Sequence, residues 1–234
     1  MSPRALFFDV FGTCVDWRSG VAREVAALAA RHGVDVDAAA IADAWRAEYQ
    51  PRMQTVRDGS RPWVTLDVLH RESLDGVLAG TPLAGVPPED RDALTLAWHR
   101  LDPWPDTVPG LTRLRRRHVI APNSNGHIAL ILNMARRAGL PWDVILGSET
   151  ARAYKPLPEA YLRNVEAVGL TPGDVMMVAA HNDDLVAAGA CGLRTAFVVR
   201  RTEYGPGQTT DLEPLHDYDL VADDLLDLAG LLDP

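Results

Sequence analysis

Lys155, in the stretch "AYKPLPEAY" at 153–161, is the only lysine of the chain; every other cation among its 23 basic residues is arginine. A guanidinium is a planar fork with five donors, whereas an ammonium is a compact point charge on a flexible stem. A position that keeps lysine in an arginine-rich sequence is one where a point charge fits and a fork does not. Other residues have types and spacings suited to the same chemistry. Asp9 is followed four residues later by Thr13 in "FFDVFGTCVDW", Ser124 and Asn125 sit in "NSNG", and His181, Asn182, Asp183 and Asp184 open "HNDDLVAAGACG". A carboxylate, a hydroxyl, an amide, an imidazole and one ammonium make a set suited to nucleophilic attack by a carboxylate, with the ammonium offsetting charge.

The elements that must position these residues can be read from hydrophobic patterning. "RALFFDV" holds an apolar run that ends in Asp9 and shows no alternation, which suits a parallel strand buried on both faces. Short strands follow at 118–124, 143–148, 174–180 and 194–199, separated by helical stretches at 127–138, 157–168 and 184–191, with a last short strand and helix in the tail. Strands alternating with helices specify an α/β fold, a Rossmann-like open sheet of parallel strands. Residues 19–101 hold no strand pattern. They show helical patterns at 19–32, 38–57, 64–79 and 88–101, so a helical domain is inserted after the first strand. The expected division is a core of 1–15 and 102–234 and a helical cap of 16–101. Ligands of such sheets bind beyond the carboxyl ends of the strands. Asp9, Ser124, Asn125, Lys155, His181 and Asp184 all fall just after strands or in the loops that follow them.

In order and spacing these residues resemble the four motifs of the haloacid dehalogenase superfamily: Asp9 and Thr13 the first, Ser124 the second, Lys155 the third, and "HNDDLVAAGACG" the fourth. The resemblance runs from residue 5 to about 200 and implies a Rossmann-like core with a cap. Phosphatases of that superfamily carry a second Asp two residues after the nucleophile and an additional Asp for Mg²⁺ in the fourth motif. Here those positions are Phe11 and Ala180. The departures resemble the metal-free branch, the 2-haloacid dehalogenases, as does the pair Trp45–Arg46 in "DAWRAEYQ". Ala179, His181 and Asp183 differ from the familiar members and resemble a subgroup some of whose members act on fluoroacetate.

The resemblance implies hydrolysis of short 2-haloalkanoates through an aspartyl ester, without a metal or other cofactor. The alternative is a Mg²⁺-dependent phosphatase acting on a small phosphate ester; a phosphonate hydrolase and a non-enzymatic binding module are weaker rivals. Asp9 is the expected nucleophile, oriented by Thr13. Two unit charges about 4 Å apart repel by about 4 kcal/mol at an effective dielectric near 20, so Asp9 and a substrate carboxylate need Lys155 to offset them. Ser124 and Asn125 are expected to bind the substrate carboxylate, and Arg46 the carboxylate or the departing halide. Asp184 should fix Lys155 and position water, with a role as helix N-cap compatible. His181 either activates water or lines the pocket, and Tyr161 bonds Asp9 or Lys155 or packs. Phe11, Trp45 and Trp63 are expected to wall the reacting carbon. Trp17, Trp98, Trp104 and Trp142 read as core or domain-seam residues.

The bulk composition narrows the partners. A net charge of −9 with no basic tract argues against nucleic acid. The longest apolar runs fall short of a membrane span, and the N-terminus has no signal-peptide pattern. Cys14 and Cys191 match no metal spacing and read as two free thiols in a reducing cytoplasm. The resemblance implies a small haloacid as the partner, with a homodimer allowed.

Overall fold

The computed structural model describes residues 2–232. The first strand, β1 (Ala5–Phe8), is followed by the two-residue strand β2 (Val15–Asp16). Five helices come next: α1 (Trp17–His32), α2 (Ala38–Ala47), α3 (Tyr49–Arg57), α4 (Leu66–Ala79) and α5 (Pro88–Thr95). A 3₁₀ turn at Leu96–His99 leads to β3 (Asp102–Pro103), which pairs antiparallel with β2. This two-strand ribbon carries the chain into and out of the helical insert. Then follow α6 (Thr107–Leu114), β4 (Val119–Ser124), α7 (Ile128–Ala138), β5 (Leu146–Gly147), α8 (Ser148–Ala151) and α9 (Glu159–Ala167). The chain closes with β6 (Val175–Ala179), α10 (Asn182–Ala190), β7 (Arg194–Val198), β8 (Leu220–Ala222) and α11 (Leu225–Leu232).

Six strands form one parallel sheet in the order β5-β4-β1-β6-β7-β8. The central β1 explains the absence of alternation in its sequence. Leu6 and Phe8 join one buried cluster, while Ala5 and Phe7 join another on the opposite face. Both faces are covered, as a parallel sheet requires. No helix among the described residues is long and apolar enough to cross a membrane.

Three expectations change in detail. The continuous helix expected at 38–57 is broken at Glu48 into α2 and α3. Pro51 lies in the first turn of α3, where its missing N–H costs nothing, but inside a longer helix it would clash with the turn before it. The strand expected at 143–148 shrinks to Leu146–Gly147, because Ser148 already starts a helix. The insert also gains the β2–β3 ribbon, too short to leave a periodic signal.

Candidate active site

Asp9 stands just past β1, and a cavity of about 1260 Å³ opens above it at the carboxyl edge of the sheet. Three donors surround its carboxylate. Oδ1 accepts from Lys155 Nζ at 2.9 Å, Oδ2 accepts from Thr13 Oγ1 at 2.9 Å, and His181 Nδ1 lies 3.3 Å from Oδ2. Thr13 is held in turn by the backbone N–H of Ala180, which donates to its hydroxyl at 2.9 Å. Burial pushes any carboxyl upward, yet Lys155 and His181 overcome it and hold Asp9 well below the usual carboxylate range. Asp9 therefore stays ionised and its plane is fixed from both sides.

Lys155 bridges two carboxylates. Its Nζ donates to Asp9 Oδ1 and, at 2.5 Å, to Asp184 Oδ2. Burial would lower its pKa, but Asp184 and Asp9 keep it above the ordinary lysine value. Asp184 also accepts from Tyr161 Oη at 2.6 Å, so Tyr161 bonds Asp184 rather than Asp9 or Lys155. Asp184 is not the N-cap of α10. His181 holds that position, and Asp184 lies three residues further on, its carboxylate turned towards Lys155. Burial pushes Asp184 upward against the pull of Lys155.

The imidazole of His181 lies between two carboxylates. Its Nε2 is 2.9 Å from Glu203 Oε2, and Nδ1 faces Asp9. Burial would lower its pKa, but Glu203 and Asp9 raise it well above the ordinary value, so the ring is an imidazolium at neutral pH. Glu203 is nearly inaccessible and also accepts from Trp17 Nε1 at 3.0 Å. Burial raises its pKa, but His181 draws it below the usual range. Gly12 makes room for this glutamate: at φ +88° it favours glycine, and a Cβ there would meet Glu203 Oε1 at 2.1 Å. No pattern in the sequence marks Glu203, which sits in the irregular segment between β7 and β8.

From the helical insert, Arg46 and Tyr49 line the same cavity as Asp9, Phe11 and Asn125. The Arg46 guanidinium lies over the Tyr49 ring at 4.1 Å and over Trp17 at 5.3 Å. Its Nη1 is buried without a hydrogen-bond partner, an unspent donor in an otherwise satisfied site. Phe11 packs edge-on against Tyr49 and Trp98 and gives that side of the cavity an apolar wall. Asn125 Oδ1 accepts from the Lys155 backbone N–H at 2.8 Å, and Arg57 reaches from α3 to donate to the Lys155 carbonyl at 2.8 Å.

Three expected cavity residues lie elsewhere. Trp45 is fully buried inside the insert, where it packs on His70 and Trp98 and donates to the His70 carbonyl at 3.1 Å. Adjacent helical residues point about 100° apart, so Trp45 and Arg46 cannot share the cavity face; Tyr49, three residues on, does. Trp63 stacks near Tyr154 with Arg152 over its ring, away from the cavity. Ser124 is buried, and its hydroxyl accepts from the Gly126 N–H at 3.0 Å, so it shapes the turn while Asn125 faces the cavity. Of the tryptophans read as core or seam, Trp17 and Trp98 form the buried layer behind Phe11, and Trp104 donates to the Gly12 carbonyl at 2.8 Å.

These residues do not fit the Mg²⁺ of the superfamily's phosphatases. Phe11 and Ala180 offer no oxygen side chain at the two acidic positions, and Asp183 accepts the Asp184 N–H. The Lys155 ammonium bridges Asp9 and Asp184, where a dication would need those same oxygens.

An ionised carboxylate at the carboxyl edge of a parallel sheet, beneath a helical insert, defines a class of α/β hydrolase. The chain belongs to the haloacid dehalogenase-like hydrolases, whose family model matches residues 3–192. It is similar to the defluorinating L-2-haloacid dehalogenase Rha0230, at 53% identity and a TM-score of 0.97, over 99% of this chain and 96% of that one. The L-2-haloacid dehalogenase PA0810 is 47% identical, with a TM-score of 0.94 over 98% of each chain. (S)-2-haloacid dehalogenase 4A of Burkholderia cepacia is 28% identical over 210 residues, 86% of this chain and 84% of its own.

Proposed function

We propose that the chain hydrolyses the carbon–halogen bond of short 2-haloalkanoates, haloacetate and 2-halopropionate, with fluoroacetate within its range. The observation that carries this reading is the pairing, in one cavity, of an ionised Asp9 with the unspent Arg46 donor, walled by Phe11 where a phosphatase has an acid. A phosphate ester would meet an apolar ring in place of the acid that protonates its leaving alcohol, so the phosphatase alternative is not favoured. Residues 16–101 act as the cap and bring Arg46 to the core.

In the first step an Asp9 oxygen attacks Cα of the substrate. The new C–O bond forms as the C–halogen bond breaks, and halide leaves with the bonding pair. Lys155 offsets the repulsion between the Asp9 and substrate carboxylates. Asn125 and Arg46 supply donors for the substrate carboxylate, and the Arg46 guanidinium also faces the departing halide.

In the second step water attacks Cγ of the Asp9 ester. The ester has lost the negative charge that helped hold a proton on His181. The imidazole pKa falls at that moment, the Nδ1 proton leaves to solvent with the halide, and Nδ1 becomes a base for the attacking water while Glu203 holds Nε2–H. Lys155 stabilises the oxyanion as it develops. As the acyl C–O bond of the ester breaks, Nδ1 passes the proton it took from water to the leaving alkoxide, which departs as the 2-hydroxy acid; the second water proton, left on the new Asp9 carboxyl, passes to His181 as the carboxylate is regenerated. The base is thus made by the reaction that needs it.

The test is halide release from fluoro-, chloro- and bromoacetate and both 2-chloropropionate enantiomers, with and without EDTA, for the parent and Asp9→Asn. Release by the parent in EDTA, with none from the variant, is expected. Near-normal turnover by Asp9→Asn, or Mg²⁺-dependent hydrolysis of p-nitrophenyl phosphate without halide release, would overturn the reading. Both cysteines are free, which supports a cytoplasmic setting. Ile128 and Leu132, exposed one turn apart on α7, offer a surface for a homodimer, which light scattering tests.

A further inference from the structure

Outside the cavity, three side chains from separate elements converge at the seam between the helical insert and the sheet domain. Asp67 lies in the first turn of α4, His99 ends the 3₁₀ turn, and His127 precedes α7. His99 Nε2 is 2.9 Å from Asp67 Oδ1, and His127 Nε2 is 3.4 Å from Asp67 Oδ2. One ligand atom from each of the three lies within 4.8 Å of the other two. The mechanism uses none of them. We propose that Asp67, His99 and His127 form a binding site for a divalent transition metal of the zinc class, which ties the helical insert to the sheet domain.

The donor set is two imidazoles and a carboxylate, the count and type of a three-ligand zinc site with one position left open. The spacing also suits it. Ligand atoms about 2.0–2.1 Å from a tetrahedral ion lie about 3.3 Å apart, and the two contacts to Asp67, at 2.9 and 3.4 Å, bracket that value.

His127 supplies an independent sign. Its ring is only 5% exposed, and Nδ1 is buried without a partner. Its Nε2 approaches Asp67 at 3.4 Å, beyond the usual range for an N–H···O bond. A metal bond would settle Nε2, the ring nitrogen that faces Asp67. His99 has the outer partner that a coordinating ring needs. The Asn133 amide lies 3.0 Å from its Nδ1 and, turned over, offers its carbonyl oxygen to an Nδ1–H, freeing Nε2 for the ion. An ion also has a way in. A groove of about 520 Å³ opens beside Asp67 and is flanked by Glu72, Asp75 and Asp92.

The position gives the site its consequence. Asp67 and His99 belong to the insert, while His127 follows Asn125 of the cavity by two residues. A bound ion would link the two parts of the chain beside the loop that carries Asn125. A hydrogen-bonded Asp between two histidines is the competing account, and it predicts no metal affinity.

The experiment uses the full chain, stripped with a chelator and titrated with Co²⁺ and then Zn²⁺. The expected result is one equivalent of Co²⁺ with the visible bands of a four- or five-coordinate site, and a Zn²⁺-induced rise in melting temperature of about 5 °C at saturating metal. His127→Gln and Asp67→Asn, each checked for folding by circular dichroism, should lose both signals. Asp9→Asn should keep both, which separates this site from the cavity carboxylates whatever the fate of the dehalogenase reading. Absence of bands and shift in the parent, or their survival in both His127→Gln and Asp67→Asn, would overturn the proposal.

Discussion

Lys155→Arg is the most direct probe of why one lysine persists. The ammonium is buried and bridges Asp9 and Asp184 at 2.9 and 2.5 Å. A guanidinium keeps the charge but cannot enter that gap without moving Asp9. Misplacement by about 1 Å costs on the order of a hundredfold in rate, so halide release at saturating substrate should fall by about that factor. A variant working close to the parental rate would leave the lysine unexplained. Glu203→Gln probes the other side of Asp9. The amide cannot hold His181 as the carboxylate does, so ester hydrolysis should slow more than ester formation. Intact-protein mass spectrometry during turnover should then show the Asp9 ester accumulating in the variant and not in the parent. Loss of turnover without an adduct would place Glu203 in folding or in the first step. These residues differ in how legible they were. Asp9, Thr13, Lys155, His181 and Asp184 stand after strands or in the segments that follow them, in short motifs where type and spacing are local signals. Glu203 pairs with His181 across 22 residues of chain and an irregular segment, and nothing near it marks the partnership.

Among the elements, the loop after β1 is held from behind by a buried ion pair. Arg200 donates to the Thr13 carbonyl at 2.8 Å and makes two bonds to Asp106, at 2.8 and 2.7 Å. Asp106 in turn accepts the first N–H of α11, from Leu225, at 2.9 Å. One arginine thus joins the loop that carries Asp9 and Thr13, the start of α6 and the C-terminal helix. Removing one partner of such a pair leaves an uncompensated buried charge and costs about 3–5 kcal/mol. Arg200→Gln should therefore lower the melting temperature by about 10 °C for a chain of this size. An unchanged melt would show the three elements to be held by packing alone. The strands and helices themselves were readable because each carries its own period of hydrophobicity. The cavity face of the insert was not, because sequence neighbours such as Trp45 and Arg46 point about 100° apart, while the Arg46 guanidinium and the Tyr49 ring stay in contact across the break at Glu48. Helical phase alone, applied across that break, selects Tyr49 and rejects Trp45.

At the scale of the whole molecule, two buried histidines are shifted in opposite directions, and stability must respond to pH on both sides. His70 is stacked on Trp98 at 4.4 Å, with neither ring nitrogen hydrogen-bonded. Burial pushes it from 6.5 down to about 3. The unfolded chain binds that proton more readily, so the contribution of His70 is complete above pH 6.5 and is lost as pH falls towards 3. His181 is the reverse. Despite burial, Glu203 and Asp9 raise it well above 6.5, so its contribution is complete below that value and is lost as pH rises through the folded pKa. Asp9 and Glu203, both held low, add to the acid side, losing their contributions as pH falls below their ordinary values of 3.8 and 4.5. The melting temperature should therefore peak near pH 6.5 and decline in both directions. Melts of the parent from about pH 4 to about pH 9 test the shape, and two variants assign the limbs. His181→Asn should flatten the alkaline decline, and His70→Phe should weaken the acid one while keeping the aromatic stack. A parent whose melting temperature is level above pH 6.5 would mean that His181 is not protonated in the resting enzyme, and the base that the ester is proposed to release would already be free.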